Sequence, residues 1–302
     1  MINFQPLGFE QHDIDTRFGK LAYYTASAAL WHDVLAQETE QPKPVLIFLH
    51  SLGGGSSAYE WSKVYPAFAS THRVIVPDLI GWGSSAHPQR DYRVNDYWLI
   101  VSDLIQQVAQ PPVAVVASSL TGGIMIRMAI QQPELFKALC LVCPSGYADF
   151  GTDYGRGLAA QVASIPGLDQ VIYALGAANE LAVRGFLQQV LFAQPNRISD
   201  QIVQAYLASA QQPGAEYAAL ASLRGDLCFD LGFHIQQLTV PTVILWGEQA
   251  RFTSAALGKR LAQLNPKAVK VFQAIADAGV LPHLELPEVV VGLMQRHFLP
   301  LL

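Results

Sequence analysis

Short runs of apolar residues, each bounded by turn-forming residues, recur along the chain and predict buried parallel strands. The clearest runs are VLIFLH at 45–50, RVIVPD at 73–78, VAVVAS at 113–118, ALCLVC at 138–143, TVILWG at 242–247 and VKVFQ at 269–273. Helical patterns alternate with them, because apolar residues recur three and four apart at 94–109, 123–133 and 254–264. Strands and helices in alternation predict an α/β fold with a mainly parallel central sheet flanked by helices.

Two stretches depart from this alternation. Residues 9–26 alternate apolar and polar positions, which predicts an antiparallel pair of strands at the sheet edge. Residues 146–236 carry helical patterns throughout, in RGLAAQVASIPGLDQVIYALG, ELAVRGFLQQVLF, ISDQIVQAYLASA and AEYAALASLRG. We therefore predict a core formed by residues 1–145 and 237–302, with residues 146–236 inserted as a helical cap.

The composition of the chain argues against nucleic acid as a binding partner and against a membrane-spanning segment. Charged residues make up 14% of the 302 residues and the net charge is −5, so the chain lacks the basic surface that nucleic acid requires. A weakly charged surface leaves room for apolar patches and is compatible with a homo-oligomer. No apolar run reaches the ~18 residues of a membrane span, and the N-terminus lacks the pattern of a secretory signal. We predict a cytoplasmic protein without a transmembrane segment.

Two glycine-rich stretches bear on cofactors. GWGSSA at 81–86 superficially matches a dinucleotide-binding turn, but no helical pattern follows it and no ribose-binding acid is placed. GGG at 53–55 lacks the Lys-Ser/Thr pair of a phosphate-binding loop. We expect neither a cofactor nor a metal.

Five motifs, in order along the chain, resemble those of the α/β-hydrolase superfamily in its capped, esterase- and lipase-like form. They are FLHSLGGGSSAYEW at 48–61, VIVPDLIGWGSS at 74–85, VAVVASSLTGG at 113–123, VPTVILWGEQARFT at 240–253 and AGVLPHLELPE at 278–288. This resemblance covers nearly the whole chain. It implies the α/β-hydrolase fold and a triad of serine, acid and histidine in that order.

The resemblance implies a role for each part of the serine motif. Ser119 stands where the family carries its nucleophile, on a sharp turn between a strand and a helix. The backbone N–H of Leu120, together with donors at Ser51 and Leu52, stands where the family forms its oxyanion hole. The sequence therefore predicts that the nucleophile and its oxyanion frame are both retained.

The acid and the histidine are missing from their places. WGEQARFT resembles the family's W-G-x-x-D-x-x-x with Ala250 in place of the aspartate, and AGVLPHLELPE resembles A-G-H-x-P-H-x-E-x-P-E with Val280 in place of the histidine. A serine hydroxyl needs a base to take its proton and an acid to orient that base. The sequence therefore predicts a degenerate triad.

Three residues are candidates to substitute for the missing groups. Asp149 follows the strand after which some family members carry the acid, although a solvated turn aspartate is the plainer interpretation. His283 matches the family's second histidine and would need a shift of nearly one helical turn, ~5 Å, to reach the serine. His234 ends the predicted cap, where it would lie over the pocket, whereas a lone histidine is more often a packed or surface residue.

Two functional hypotheses follow. In the first, the chain is a pseudoenzyme, a non-catalytic binding or scaffold protein whose apolar pocket between sheet and cap holds a small lipophilic ligand. In the second, it is a weak or unusual serine hydrolase, esterase- or thioesterase-like, in which Ser119 attacks an ester-like substrate with the help of a displaced base. The missing triad members favour the first, because their loss costs many orders of magnitude in rate.

Overall fold

The computed structural model describes residues 4–27, 30–31, 43–152, 173, 175 and 177–302. Its strands are β1 (Phe9–Thr16), β2 (Gly19–Ala26), β3 (Val45–Leu49), β4 (Arg73–Pro77), β5 (Val113–Ser118), β6 (Phe136–Val142), β7 (Thr242–Gly247) and β8 (Val269–Ile275). Together they form an eight-stranded sheet in the order β1-β2-β4-β3-β5-β6-β7-β8.

Strand direction in the sheet follows the hydrophobic pattern. The pairs β1–β2 and β2–β4 are antiparallel, and every pair from β4 to β8 is parallel. All residues of β5 and of β7 are buried, because helices cover both faces of a parallel sheet. The predicted α/β fold with a mainly parallel sheet is confirmed, and the predicted edge pair spans residues 9–26 as β1 and β2.

Helices flank this sheet and connect its strands. They are α1 (Val94–Val108), α2 (Ser119–Gln131), α3 (Glu180–Phe186), α4 (Asp200–Ala210), α5 (Ala215–Arg224), α6 (Leu231–His234), α7 (Ala255–Gln263), α8 (Pro282–Glu285) and α9 (Pro287–Leu293). Short 3₁₀ turns occur at Ala58–Trp61, Tyr65–Phe68, Pro133–Leu135, Asp149–Gly151, Pro195–Arg197, Ile235–Gln237 and Leu299–Leu301, and π turns at Leu187–Leu191 and Met294–Phe298. In the described part of the chain, no helix is long and apolar enough to cross a membrane.

The segment between β6 and β7 is helical where the structure describes it. Helices α3, α4 and α5 occupy three of the four helical patterns predicted there, and we call residues 177–236 the insertion. The fourth pattern, RGLAAQVASIPGLDQVIYALG, lies almost wholly outside the described residues. The division into a core and a cap at residues 146 and 236 therefore stays a prediction.

Candidate functional site

Strand β5 passes directly into α2 at Ser119, whose backbone is left-handed with a φ of 52°. This conformation is costly for a residue that has a Cβ, and its presence marks a sharp turn held by the surrounding structure. Close packing provides that support, since a Cβ at Gly123 would lie 2.7 Å from the Ser145 carbonyl oxygen. The Thr121 hydroxyl also donates a hydrogen bond of 2.7 Å to the His50 carbonyl. Ser119 is thus presented at the carboxyl end of the sheet.

A cavity of about 110 Å³ lies over Ser119. Its lining combines the loop after β3, the serine turn, the insertion and the loops after β6, β7 and β8: Ser51, Leu52, Gly53, Gly54, Ser119, Tyr147, Phe186, Leu191, Ala219, Ser222, Leu223, Phe252 and Val280. Among these described residues there is no histidine, carboxylate, lysine or arginine. The cavity is therefore lined mainly by apolar side chains, and its polar side chains are hydroxyls.

The hydrogen-bond partner of Ser119 is the phenol of Tyr147. The Ser119 Oγ and Tyr147 Oη atoms lie 2.8 Å apart, and the Tyr147 ring stacks on Phe252 with centroids 5.3 Å apart. Tyr147 has a left-handed backbone, with a φ of 64°. This contact could not be predicted from the sequence, because a tyrosine in the loop after β6 is ordinarily a packing residue.

Val280 and Ala250 occupy adjacent loops at the same end of the sheet. Val280 lines the cavity beside Ser119, and its N–H donates to the Leu191 carbonyl at 2.8 Å. Ala250 follows β7, and the neighbouring Gln249 donates its N–H to the Ala278 carbonyl at 2.9 Å. The structure thus brings position 280 to the serine and position 250 to the loop that carries position 280.

The predicted oxyanion donors differ in their availability. The Ser51 N–H donates to the Glu60 carboxylate at 2.8 Å, and the Ser51 hydroxyl does the same. The Leu52 N–H has no acceptor among the described residues. Leu120 is the second residue of α2, so its N–H has no intrahelical acceptor. Of the three predicted oxyanion donors, Leu52 and Leu120 therefore keep N–H groups without an acceptor among the described residues, and Leu52 lines the cavity.

Glu60 is a second residue of this site, after Tyr147, whose contacts could not be predicted from the sequence. Its side chain is fully buried behind Ser51, and it also accepts a hydrogen bond of 3.0 Å from the Tyr206 hydroxyl of α4. Burial opposes ionisation of this carboxyl, but nearby His283 and His50 and the Ser51 N–H outweigh it and lower its pKa to about 2. Glu60 is thus a buried anion that joins the loop after β3 to the insertion.

The lowered pKa of Glu60 makes the free energy of unfolding depend on pH. A group whose pKa falls from 4.5 to about 2 on folding stabilises the fold above pH 4.5, and this stabilisation is lost as the pH falls toward 2. We expect the unfolding free energies of wild type and Glu60→Gln to converge by about 3 kcal/mol between pH 5 and pH 2. Urea denaturation measures this, with the exposed Glu134→Gln as the matched control. Parallel pH profiles for all three proteins would contradict it.

His283 lies beside Glu60. Its ring is completely buried and stacks on Trp61 with centroids 3.8 Å apart. Its Nε2 atom is 4.0 Å from a Glu60 oxygen, and neither ring nitrogen has a hydrogen-bond partner among the described residues. Burial lowers the pKa of this histidine. His283 does not line the Ser119 cavity.

The other two candidate substitutes also lie away from the cavity. Asp149 is buried and accepts hydrogen bonds from the Ser145 hydroxyl at 2.6 Å and the Leu231 N–H at 2.8 Å, so it ties the loop after β6 to α6. His234 is half-buried, with Phe229 and Phe233 against its ring. Neither lines the cavity. Among the described residues, no cluster of His, Cys, Asp or Glu is arranged to hold a metal ion.

The loops after β7 and β8 are fastened to the insertion. The buried Glu285 carboxylate accepts from the Gly279 N–H at 2.6 Å and the Ala193 N–H at 2.9 Å. Arg197 forms an ion pair of 2.6 Å with Asp277. A second attachment comes from Arg251, whose guanidinium donates to the Gln188 and Gln189 carbonyls. We call these contacts the latch; they hold the wall that contains Val280 against the insertion.

Comparison with known proteins agrees with this architecture. The sequence signature of the alpha/beta hydrolase family matches residues 22–293. The hydrolase YugF of Bacillus subtilis is 24% identical over 82% of this chain and 87% of its own length. The protein Rv2715 of Mycobacterium tuberculosis is 35% identical, but the match covers 34% of this chain and 30% of that protein.

Solved structures share the fold at low sequence identity. The structure of a serine hydrolase involved in carbazole degradation superposes with a TM-score of 0.74 at 18% identity, covering 97% of this chain and all of the other. The carboxylesterase CesB of Bacillus subtilis gives a TM-score of 0.73 at 18% identity, covering 97% of this chain and 92% of the other. At such identities the likeness is one of fold.

Proposed function

Because the chain belongs to the alpha/beta hydrolase family, yet neither a base nor an acid lines the described part of its serine pocket, we propose that it is a non-catalytic binding protein. Its ligand is a small lipophilic molecule held in the cavity over Ser119. The observation that carries this proposal is the hydrogen-bond partner of the serine, since Ser119 Oγ lies 2.8 Å from the Tyr147 phenol oxygen. Val280, at the position of the family's histidine, lines the same cavity. Neither an alcohol, a phenol nor an isopropyl group acts as a general base near neutral pH.

The pocket walls support binding. Apolar side chains such as Phe186, Leu191, Leu223, Phe252 and Val280 line it, as is typical of small-molecule sites that keep a few polar groups for orientation. The replacement of aspartate and histidine by alanine and valine, which the family pattern implies, increases this apolar character. A pocket of this kind fits a ligand that is bound and released unchanged.

A weak serine hydrolase remains a second candidate because one observation favours it. Ser119 keeps the strained backbone of a nucleophile, with a φ of 52°, and the N–H groups of Leu52 and Leu120 remain available to a substrate oxyanion. An oxyanion hole and binding alone leave a residual rate over water of 10³–10⁴ when a triad is removed. Hydrolysis by this route would be slow and would depend on Ser119.

Labelling with a fluorophosphonate separates the two candidates. We expect no covalent adduct at Ser119 and no hydrolysis of p-nitrophenyl butyrate above the rate of Ser119→Ala, because no group at the described site deprotonates the serine. Intact-protein mass spectrometry and absorbance at the nitrophenolate band are the measurements. A Ser119 adduct together with ester hydrolysis, both lost in Ser119→Ala, would show that the protein is an enzyme.

A further inference from the structure

A cavity distinct from the one over Ser119 lies between the antiparallel edge of the sheet and α4. Its volume is about 230 Å³, compared with about 110 Å³ over Ser119. Residues of the N-terminal segment before β1, of β1, β2 and α4, and of the loops after β3 and β4 line it. The two cavities share no described lining residue. A ligand in this cavity is therefore recognised by its own set of groups.

Hydrogen bonds between distant parts of the chain fix the walls of this cavity. The Ser209 hydroxyl of α4 donates to the Ser56 carbonyl at 2.8 Å and accepts the Gly83 N–H at 3.0 Å. On the sheet side, the Tyr24 hydroxyl of β2 donates to the Asp78 carboxylate at 3.1 Å. The lining groups are thus held in place before a ligand arrives, as in most small-molecule sites.

Asp78 gives this cavity a negative charge. Its side chain lines the cavity, and it accepts hydrogen bonds from three uncharged donors: the Ala58 N–H at 2.6 Å, the Ser84 N–H at 2.8 Å and the Tyr24 hydroxyl. Among the described residues, no lysine or arginine acts on it. Burial raises the pKa of Asp78 in spite of these hydrogen bonds and of nearby His50. A positive charge in the cavity would therefore stabilise the ionised form of this carboxyl.

His50 does not supply that positive charge. Its Nε2 atom accepts the Leu79 N–H at 2.8 Å, and its Nδ1 atom lies 2.5 Å from the Ser51 carbonyl oxygen. A ring nitrogen that accepts a hydrogen bond carries no proton, so this hydrogen-bond pattern is that of the neutral ring. His50 also does not line the cavity.

Two glutamines at the cavity present oxygen acceptors. The amide nitrogen of Gln11 donates to the Asp13 carboxylate at 3.0 Å, and that of Gln212 donates to the Ala208 carbonyl at 3.0 Å. Their amide oxygens accept from no donor in the part of the chain that the structure describes. An ammonium group, which has N–H donors and no acceptor, fits these oxygens.

Aromatic rings complete the lining. Phe4 and Tyr59 meet edge to face with centroids 6.1 Å apart, and both line the cavity with Tyr24. The face of an aromatic ring attracts a cation that lies within ~6 Å of its centre. None of the described lining residues is a lysine, an arginine or a histidine. The cavity therefore attracts cations and repels anions.

We propose that this cavity binds a small primary ammonium compound, whose charge is stabilised by Asp78 and the aromatic rings and whose N–H groups donate to the amide oxygens of Gln11 and Gln212. This ligand site is separate from the binding function proposed at Ser119.

Three probes with one 3-methylbutyl body separate the effect of charge from that of shape: 3-methylbutylammonium, 3-methyl-1-butanol and 4-methylpentanoate. By isothermal titration calorimetry at pH 7.5 and low ionic strength, we expect wild type to bind the ammonium at least ~10-fold more tightly than the alcohol. The carboxylate should bind more weakly than the alcohol.

Two lysine variants locate the bound ammonium. Gln11 is exposed and lines the cavity, so Gln11→Lys adds a fixed positive charge there and should weaken the ammonium about 5- to 10-fold while leaving the alcohol unchanged. Gln263→Lys makes the same change at an exposed position of α7 outside the cavity and should leave both affinities unchanged. Both variants alter exposed side chains, so neither removes a buried contact of Asp78.

Each outcome decides the proposal. An alcohol that binds wild type as tightly as the ammonium, or an ammonium that does not bind, overturns it. Ammonium binding that responds equally to Gln11→Lys and Gln263→Lys lies elsewhere on the protein and also overturns it. Hydrolysis of p-nitrophenyl butyrate at Ser119, with the response to Gln11→Lys intact, overturns the binding-only function and leaves the ammonium site standing.

Discussion

Ala250→Asp combined with Val280→His is expected to raise the hydrolysis of p-nitrophenyl butyrate at least ~10²-fold above wild type. Position 280 lines the cavity with Ser119, and the hydrogen bond from Gln249 to Ala278 holds the loop of position 250 against that of position 280. A histidine at 280 would take the Ser119 proton, and an aspartate at 250 would orient it. The retained N–H groups of Leu52 and Leu120 would stabilise the oxyanion.

The single variants serve as matched controls for this gain. Ala250→Asp supplies an acid without a base and should match wild type, while Val280→His supplies an unoriented base and should give only a small increase, because triad members act as a unit. Adding Ser119→Ala to the pair should abolish the activity. A folded double variant that hydrolyses the ester no faster than wild type would mean that positions 250 and 280 do not converge on Ser119.

Glu285→Ala is expected to lower the free energy of unfolding by about 3 kcal/mol or more. The carboxylate is buried and accepts the N–H groups of Gly279 and Ala193. Removing the carboxylate leaves these buried N–H donors without acceptors and leaves a cavity where the side chain was. Each unsatisfied donor lowers the free energy of unfolding by about 1–3 kcal/mol. Urea denaturation followed by tryptophan fluorescence measures the loss.

Two variants bracket this effect of the latch. Glu285→Gln keeps one acceptor oxygen and should lose less stability than Glu285→Ala. The exposed Glu288→Ala, three residues away, should change the unfolding free energy by no more than about 0.5 kcal/mol. If Glu285→Ala and Glu288→Ala unfold at the same urea concentration, the latch does not hold the insertion to the sheet.

The fold could be predicted from the sequence because its signals are local. Apolar runs such as 45–50 and 242–247 are short, continuous and bounded by turns, so they identify buried strands without knowledge of their neighbours. The turn at Ser119 is likewise contained in one stretch, VAVVASSLTGG. Its left-handed backbone follows from the abrupt passage of strand into helix.

The contacts of the site could not be predicted, because they join distant parts of the chain. Glu60 stands in SAYEW, where a glutamate is ordinarily exposed, and only the fold brings it to Tyr206, 146 positions away. The assignment of Ser51 as an oxyanion donor depended on the same missing contact, since its N–H binds Glu60. The pairing of Ser119 with Tyr147 depends on a left-handed residue in the loop after β6, which no sequence pattern marked.

The left-handed backbone of Ser119 also determines which residue would be most stable at that position. If the ancestor had the family's aspartate and histidine, their replacement by alanine and valine exchanged polar groups for apolar ones in a buried wall and favoured stability. Glycine at 119 would add to that advantage, because a left-handed residue with a Cβ costs roughly 1–2 kcal/mol. This chain carries alanine at 250 and valine at 280, and it keeps serine at 119. The proposed binding function accounts for this combination, because a protein that only binds needs no proton base, whereas the Ser119 hydroxyl can still donate a hydrogen bond to a ligand.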